Sequence, residues 1–255
     1  MGKPPTPSTS AERPAPRFYV PDTLFPGNEI RLPERVARHI AVLRLRPDEG
    51  ITLFNGRAGQ YRAVVNGLGR DRCSARVLEF QDTECESPLN MTLAQCLSAG
   101  DRMDVTLQKA TELGVSIIVP LQSERSVVRL SAERAQRRLE HWRNVVISAC
   151  EQCGRNRIPE VKPLAELLPW LAQPATGLRL LLDPENGSGT ASLPASAPSA
   201  ITLLIGSEGG FASHERSAAE RSGFQPLRLG PRVLRTETAP LAAIAVLQTQ
   251  WGDFR

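Results

Sequence analysis

The sequence lacks any apolar run close to the roughly 20 residues that a membrane-spanning helix requires. Its proline-rich start also lacks the continuous apolar core of a secretory signal peptide. Residues 1–16 are rich in proline, serine and threonine and show no apolar periodicity, which predicts a disordered tail. We therefore expect a cytoplasmic protein that does not interact with membranes.

Cysteine and histidine are scarce, with five and three residues respectively. An odd number of cysteines does not suit a disulfide framework and fits a reducing compartment. Cys150 and Cys153 form a Cys-x-x-Cys pair, but a zinc site would need two further ligands at suitable spacing. The three histidines, His39, His141 and His214, are isolated. We expect two thiols on a helix and no metal centre.

Two nucleotide-binding patterns are also missing. The chain has no Gly-x-Gly-x-x-Gly after an early strand and no P-loop ending in Lys-Ser or Lys-Thr. These absences disfavour a dinucleotide or a nucleoside triphosphate as the ligand, and with them a Rossmann-type oxidoreductase. The length of 255 residues leaves room for one large domain or two small ones.

Charge is distributed unevenly along the chain. Residues 1–80 contain 13 Lys and Arg against 8 Asp and Glu, a net charge of +5, whereas the remainder contains 18 against 19, a net charge of −1. A positive surface attracts phosphate backbones, so a nucleic acid is a candidate partner for the first third of the chain. All but three of the 31 basic residues are arginine, which suits bidentate phosphate contacts.

The pattern after residue 16 predicts a small β-barrel. Asn55-Gly56 and Asn66-Gly67 are turn signals, and a helix is predicted at Glu34–Leu43. The predicted strands are 17–20, 51–54, 60–65 and 73–80. Such closely spaced strands favour a barrel, and the polar stretch 81–88 is typical of a linker.

After the linker, apolar strands alternate with amphipathic helices. The predicted strands are 91–97, 115–121, 178–182, 201–205 and 226–229. The predicted helices are 101–113, 131–150, 213–222 and 239–250, with Ser131 as an N-cap. This alternation indicates an α/β domain with a parallel sheet covered by helices. Residues 184–200 are rich in Gly, Ser, Pro and Ala, which predicts a flexible loop.

Two loops follow predicted strands at the edge where α/β sheets bind ligands. Residues 206–211 (GSEGGF), called here the first turn, follow the strand at 201–205, and glycines there let a backbone approach a ligand closely. Residues 229–238, the second turn, place Arg235 and Glu237 before an apolar helix. The alternatives are an ordinary strand-to-helix turn for the first, and a helix N-cap at Thr236 or Thr238 for the second.

Five segments carry a resemblance to a known family. KATELGV, IIVPLQSERSVV, ACEQCGRNRIP, LLIGSEGGF and LGPRVLRTETA, in this order and spacing, closely resemble the ribosomal RNA small subunit methyltransferase E family of the SPOUT class. The similarity extends from about residue 17 to the C-terminus. The family's first turn usually reads Gly-Pro-Glu-Gly-Gly, and Ser207 occupies the proline position here.

The resemblance implies a fold, a reaction and partners. It implies a PUA-like RNA-binding β-barrel at 17–82 and a SPOUT α/β domain with a trefoil knot at 89–255. It also implies a homodimer that uses S-adenosylmethionine to methylate N3 of one uridine in 16S rRNA of the small ribosomal subunit. The implied cofactor-binding residues are Leu204, Ile205, Gly206, Glu208, Gly209, Gly210, Leu229, Gly230, Leu234 and Thr238.

Roles for individual side chains follow as hypotheses. Uridine N3 carries a proton at neutral pH, so an anion stabiliser and a base are both desirable. We expect Arg235 to steady the developing anion, and Glu208 or Glu237 to orient the site or relay the proton. The expected RNA contacts are Arg17, Arg125 and Arg155. The alternatives are a related enzyme acting on another RNA or on a ribose 2′-OH, and a non-catalytic RNA-binding factor.

Overall fold

The computed structural model describes residues 15–68 and 73–254, so most of the predicted N-terminal tail lies outside the described residues. The chain divides into two compact units, Met1–Thr83 and Glu84–Arg255. Each unit has its own hydrophobic core. No helix within the described ranges is long and apolar enough to cross a membrane.

Over its described residues, the first unit forms a five-stranded sheet with one helix. Its described elements are β1 (Arg17–Tyr19), β2 (Glu29–Arg31), α1 (Glu34–Leu43), β3 (Gly50–Phe54), β4 (Gln60–Leu68) and β5 (Cys73–Gln81). The strands lie in the order β1-β3-β4-β5-β2; of the described pairs, β1–β3 is parallel and the other three are antiparallel. Every element contributes at least one buried apolar side chain to a single core, because apolar residues alternate along the strands.

Two details of the first unit differ from the sequence prediction. The pattern missed β2, which has three residues and buries only Ile30. The turn predicted at Asn66-Gly67 is wrong, because both residues lie within β4. The pairing of β4 with β5 shifts register between Val65 and Gly67, so this glycine marks a β-bulge.

The second unit has the predicted α/β alternation. Its described elements are β6 (Met91–Cys96), α2 (Arg102–Glu112), β7 (Ile117–Gln122), α3 (Ala132–Cys153), β8 (Glu160–Val161), β9 (Ala165–Glu166), α4 (Leu167–Leu171), β10 (Leu178–Leu182), β11 (Ile201–Ile205), α5 (Ser213–Arg221), β12 (Gln225–Leu227) and α6 (Thr238–Trp251). The strands lie in the order β12-β10-β11-β6-β7-β8, with β9 also paired to β7, and every described pair is parallel. The α/β class is confirmed. Patterning missed β8, β9 and α4, which are too short to show a period.

The central strands are apolar on both faces because helices cover both faces of the sheet. In β11, Leu203 packs into a core with Leu107 of α2 and Leu247 of α6. The next residue, Leu204, points to the opposite face and packs with Ala219 of α5. The carboxyl ends of these strands therefore open between two helical layers, where ligands bind in open α/β sheets.

Local capping sets the ends of the longest helix. The Ser131 hydroxyl accepts a hydrogen bond from the Arg134 N–H at 3.4 Å, which confirms the predicted N-cap of α3. The helix continues past the predicted end at Cys150 and stops at Gly154, whose φ of 91° is favourable only for glycine. Cys150 and Cys153 therefore lie in the last turn of one helix.

Candidate active site

A cavity of about 720 Å³ lies where β10, β11 and β12 end. Three stretches line it continuously: residues 182–185 after β10, residues 205–211 including the first turn, and residues 232–237 of the second turn. The cavity is also lined by Arg102, Arg125 and Arg216 and by Leu227, Leu229 and Ala239. This volume is within the range of about 300–1,000 Å³ that small-molecule and cofactor sites occupy.

Glycine is required in the first turn for two separate reasons. The chain reverses there, with the Gly210 N–H donating to the Ser207 carbonyl at 2.9 Å, and Gly210 has a φ of 66°. A Cβ at Gly209 would lie 3.0 Å from Cβ of Arg125 and 3.1 Å from its carbonyl oxygen. A side chain at Gly209 would therefore have to displace Arg125 by a few tenths of an ångström.

A buried hydrogen-bond chain ties the second turn to the first. The Thr236 hydroxyl donates to the Gly206 carbonyl at 2.8 Å and accepts from Nε2 of Gln95 at 3.1 Å. Gln95, at the end of β6, is fully buried, and its amide also donates to the Cys96 carbonyl at 3.1 Å. The alternative of a helix N-cap at Thr236 or Thr238 is therefore wrong, because the Thr236 hydroxyl joins the two turns and Glu237 is the N-cap of α6, with Thr238 as its first helical residue.

A second link between the turns uses charge. The Nη1 of Arg102 lies 2.7 Å from Oε1 of Glu208 in the first turn, and its Nε lies 3.7 Å from Oε2 of Glu237 in the second turn. The Ala99 N–H also donates to Oε1 of Glu208 at 2.9 Å. Sequence reasoning missed Arg102. The signal that could have identified Arg102 is its position at the start of α2, shortly after the carboxyl end of β6.

The environment of Glu208 favours its carboxylate form. Burial opposes ionisation, but hydrogen bonds from the Ala99 N–H and from its own N–H, followed by Arg102, lower the pKa of Glu208 below its ordinary value of 4.5. Glu208 is therefore ionised at neutral pH. A carboxylate with a lowered pKa is a weak proton acceptor, which suits an orienting role better than proton abstraction.

The segment after β10 is a wall of the cavity that sequence reasoning did not identify. The buried Asp183 carboxylate accepts from the Glu185 N–H at 2.9 Å and the Asn186 N–H at 3.1 Å, and it lies 3.3 Å from Nη1 of Arg216. Burial opposes ionisation of Asp183, but the two backbone N–H groups, together with the Asn186 side chain and Arg216, lower its pKa below the ordinary value. Asp183 therefore acts as a fixed anchor that shapes this wall.

Most of the predicted cofactor residues lie together. Seven line the cavity: Ile205, Gly206, Glu208, Gly209, Gly210, Leu229 and Leu234. Three do not line it: Leu204, Gly230 and Thr238. Leu204 is in the core on the far face of the sheet, and Thr238 is the first residue of α6. Sequence position alone did not distinguish the residues facing the cavity from their neighbours.

The predicted catalytic residues lie on the same cavity. Arg235, Glu208 and Glu237 all line it, and Arg235 is exposed at its wall. Arg232 of the same turn also lines the cavity and is exposed. A ligand in the cavity would therefore meet both guanidinium groups and carboxylates.

The three predicted RNA contacts are in different surroundings. Arg125 is exposed, lines the cavity and donates from Nη1 to the Gly209 carbonyl at 3.2 Å. Arg17 is in the first unit, where its guanidinium donates to the Gln60 side chain and lies 4.9 Å from the centre of the Phe54 ring. Both keep part of their surface exposed.

The expectation for Arg155 is wrong. Arg155 is only 4% exposed, and its Nε and Nη2 lie 2.9 and 2.7 Å from Oε2 of Glu86. Its Nη1 donates to the carbonyls of Thr111 and Val115, each at 2.8 Å. The guanidinium therefore secures the segment that precedes β6, and it is too buried to contact RNA.

Thiol and metal chemistry receive no support from the site geometry. Burial raises the pKa of the Cys96 thiol, at the end of β6, to about 12, so this thiol is protonated at neutral pH and is no nucleophile. Within residues 15–68 and 73–254, no group of three or more His, Cys, Asp or Glu side chains is arranged to bind a metal ion.

The chain, whose second unit has a parallel sheet with two glycine-bearing turns around one cavity, matches known families. A model described as the RNA methyltransferase domain matches residues 85–248, and one described as the RNA methyltransferase PUA domain matches residues 32–78. The fold and site thus define an RNA methyltransferase with a PUA-like N-terminal domain. More narrowly, the chain belongs to the ribosomal RNA small subunit methyltransferase E family. The resemblance found in the sequence is confirmed.

Individual relatives cover nearly the whole chain. The ribosomal RNA small subunit methyltransferase E of Buchnera aphidicola subsp. Schizaphis graminum is 35% identical over 93% of this chain and 97% of its own length. The solved Neisseria gonorrhoeae enzyme of that name, bound to S-adenosyl methionine, is 45% identical, with a TM-score of 0.88 over 94% of this chain and 100% of its own. A Legionella pneumophila protein solved with bound SAM is 38% identical, with a TM-score of 0.91 over 94% of this chain and 99% of its own.

Proposed function

We propose that this protein transfers the methyl group of S-adenosylmethionine to N3 of a specific uridine in 16S rRNA of the small ribosomal subunit. The observation that carries the proposal is the single cavity between the first and second turns, whose walls are joined by the Thr236–Gly206 hydrogen bond. The relatives named ribosomal RNA small subunit methyltransferase E support the substrate, and the solved complexes with S-adenosylmethionine support the cofactor.

The cavity suits this cofactor by size and by chemistry. Leu182, Leu227, Leu229 and Leu234 supply apolar surface for an adenine ring. The carboxylates of Glu208 and Glu237 lie in the same wall, where a positively charged sulfonium or amino group is favoured. We assign cofactor binding to Ile205, Gly206, Glu208, Gly209, Gly210, Leu229 and Leu234.

Alignment and deprotonation of the uridine are the tasks left to the protein. The bound cofactor supplies an electrophilic methyl group, so no metal is needed. N3 lies on the pairing edge of the base, so the uridine must be unpaired or flipped before in-line attack. We assign to Arg235 the stabilisation of the uridine anion at O2 or O4, because its exposed guanidinium lines the cavity.

The two carboxylates receive different roles. Glu208 accepts two hydrogen bonds at one oxygen and has a lowered pKa, so we assign it to orienting the site. Glu237 accepts no hydrogen bond at Oε2 from the described residues, and the nearest cation, Arg102, is 3.7 Å away. We assign the proton relay to Glu237, because it lines the cavity and its Oε2 is not occupied by a donor from the part of the chain that the structure describes.

The domain assignment follows the resemblance. We propose that residues 17–82 close into a PUA-like β-barrel that binds RNA, with Arg17 among the phosphate contacts. We propose that residues 89–255 carry catalysis, with Arg125 nearer to the target base. Residues 17–82 contain 11 Arg against 8 Asp and Glu, a net charge of +3, which supports RNA binding by the first of these domains.

We also propose that the C-terminal segment is threaded into a trefoil knot. A contact between the segment after β10 and the end of β12 supports it: in an isolated parallel β-bridge of Ser188 with Leu227, the Ser188 N–H donates to the Pro226 carbonyl at 3.0 Å and the Arg228 N–H donates to the Ser188 carbonyl at 2.8 Å. A Cβ at Gly187 would lie 2.5 Å from the Arg228 nitrogen, so the two segments meet without an intervening side chain. The homodimer and the cytoplasmic location are proposed on the family resemblance alone.

The function is tested by methylation of purified small subunits and of naked 16S rRNA from a deletion strain. We expect cofactor-dependent methylation, with 3-methyluridine identified by mass spectrometry of the nucleosides. A methyl group found on ribose 2′-OH, or on another RNA, would replace the proposed substrate with that of a related enzyme. Absence of S-adenosylmethionine binding by calorimetry would leave only an RNA-binding role.

Removal of residues 1–83 should separate RNA binding from cofactor binding. We expect weaker binding to 16S rRNA and a flatter dependence of its affinity on salt, because fewer phosphates are neutralised. Cofactor binding should persist, because every residue lining the cavity is in the second unit. Equal salt slopes for the full-length and truncated chains would contradict this division of labour.

A further inference from the structure

We propose that Arg102 is a positioning residue for cofactor binding, whose guanidinium holds the first and second turns together through their carboxylates. The proposal deepens the function proposed above and rests on it. Arg102 belongs to neither turn. It is at the start of α2, so its action on the cofactor would pass through Glu208 and Glu237.

The geometry matches the shape of an arginine side chain. Two different nitrogens of Arg102 face two different carboxylates, Nη1 to Glu208 at 2.7 Å and Nε to Glu237 at 3.7 Å. The arginine side chain is 38% exposed and the carboxylates are 28% and 22% exposed, so solvent screens the pairs only in part. A planar guanidinium can face two carboxylates at once, whereas a lysine offers one compact charge.

Removal of this charge would act on both turns. Glu208 and Glu237 are like charges on the wall of one cavity, and they would repel each other without a cation between them. The Thr236–Gly206 hydrogen bond would still join the turns at their buried side. We therefore expect the loss of Arg102 to loosen the exposed side of the site without unfolding the domain.

The same cation influences the ionisation of Glu208. After burial and the two backbone N–H groups, Arg102 is the side chain that lowers the pKa of Glu208. Because that pKa is lowered, the stabilisation by the carboxylate is complete above pH 4.5 and is lost as the pH falls through the lower folded value. The other charged groups on the cavity wall are Arg125, Asp183, Glu185, Arg216, Arg232, Arg235 and Glu237.

The test compares Arg102→Gln, Arg102→Lys and the wild type as full-length chains. Carbon-detected NMR of the Glu208 carboxyl, assigned with Glu208→Gln, measures its titration without cofactor. In Arg102→Gln we expect the midpoint to move up towards the ordinary glutamate value. We also expect affinity for S-adenosylmethionine to fall roughly fivefold by calorimetry, consistent with loss of a partly exposed ion-pair network. The pH below which S-adenosylmethionine binding is lost should be higher in Arg102→Gln than in the wild type.

The lysine variant and a matched control separate positioning from general stability. Arg102→Lys keeps the charge, so the Glu208 titration should stay close to that of the wild type while cofactor affinity is only partly restored. Lys109→Gln removes one charge from the same helix, where Lys109 pairs with Glu112, and should change neither measurement. If Arg102→Gln fails to fold, Arg102→Lys still tests the proposal. An affinity of Arg102→Lys for S-adenosylmethionine equal to that of the wild type would overturn the bridging role of the guanidinium.

The outcomes also distinguish this proposal from the proposed function. An unchanged Glu208 titration in Arg102→Gln would overturn the role of Arg102, whatever the enzyme methylates. A shifted Glu208 titration in Arg102→Gln, combined with no S-adenosylmethionine binding by the wild type, would support the ion-pair bridge but reject the proposed methyltransferase function. A melting temperature lowered without any change in titration or affinity would reduce Arg102 to a structural residue.

Discussion

Arg235→Ala should lower the single-turnover rate of uridine methylation by about 100-fold, as expected when one donor to a developing anion is removed. The guanidinium lines the cavity from an exposed position, where it can reach O2 or O4 of a flipped uridine. Affinity for S-adenosylmethionine should change little, because backbone and apolar groups form most of the cofactor wall. Rapid-quench assays with labelled cofactor, combined with calorimetry, measure the two quantities separately.

Arg232→Ala is the matched control for this variant. Arg232 is three positions earlier in the second turn, is exposed and lines the same cavity. Its loss removes the same charge from the same surface, so it reports the general electrostatic contribution to RNA binding. A rate for Arg235→Ala within about threefold of the wild type, with cofactor still bound, would remove Arg235 from the catalytic residues.

Thr236→Val should weaken cofactor binding by about tenfold or more and lower the free energy of unfolding by about 1–3 kcal/mol, the usual cost of leaving buried polar groups without partners. The substitution keeps the shape of the side chain but removes the donor to the Gly206 carbonyl and the acceptor for Gln95. Gln95 is fully buried and cannot turn to water. Calorimetry and urea denaturation measure the two effects.

Thr238→Val provides the control, because it makes the same change two residues later. Thr238 is exposed at the start of α6 and does not line the cavity. Thr236→Ser keeps the hydroxyl and should restore most of the affinity. If Thr236→Val and Thr238→Val bound the cofactor equally well, the buried connection between the turns would have no part in forming the site.

Periodic patterns predicted the order of the elements because each long strand and helix has a repeat of its own. The predictions for α1, β10 and β11 agree with the structure at both ends. Short elements such as β8, β9 and α4 span too few residues for a repeat to show. At Asn66-Gly67 the sequence predicted a turn where the structure has a continuous strand. Residues that favour turns also occur in β-bulges, as Gly67 does here.

Burial of charged side chains was the hardest feature to predict. Arg155 and Asp183 belong to residue types that are almost always exposed, and both are more than nine-tenths buried. Arg155 is buried because a distant carboxylate pairs with it: Glu86 is 69 positions away in the chain. Asp183 accepts from the nearby N–H groups of Glu185 and Asn186, and it also lies beside the distant Arg216 of α5. Contacts between residues that are far apart in the chain cannot be predicted from a single sequence.

The sequence by itself determined the α/β class, the glycine-bearing first turn and the family, because these depend on residue order and local spacing. Only the tertiary structure decided which side chains connect the turns. Gln95 and Thr236 are 141 positions apart, and Arg102 and Glu208 are 106 apart, yet each pair is in hydrogen-bond contact. Parallel strands bring their carboxyl ends to one edge whatever their separation in the chain, and that packing assembles the site.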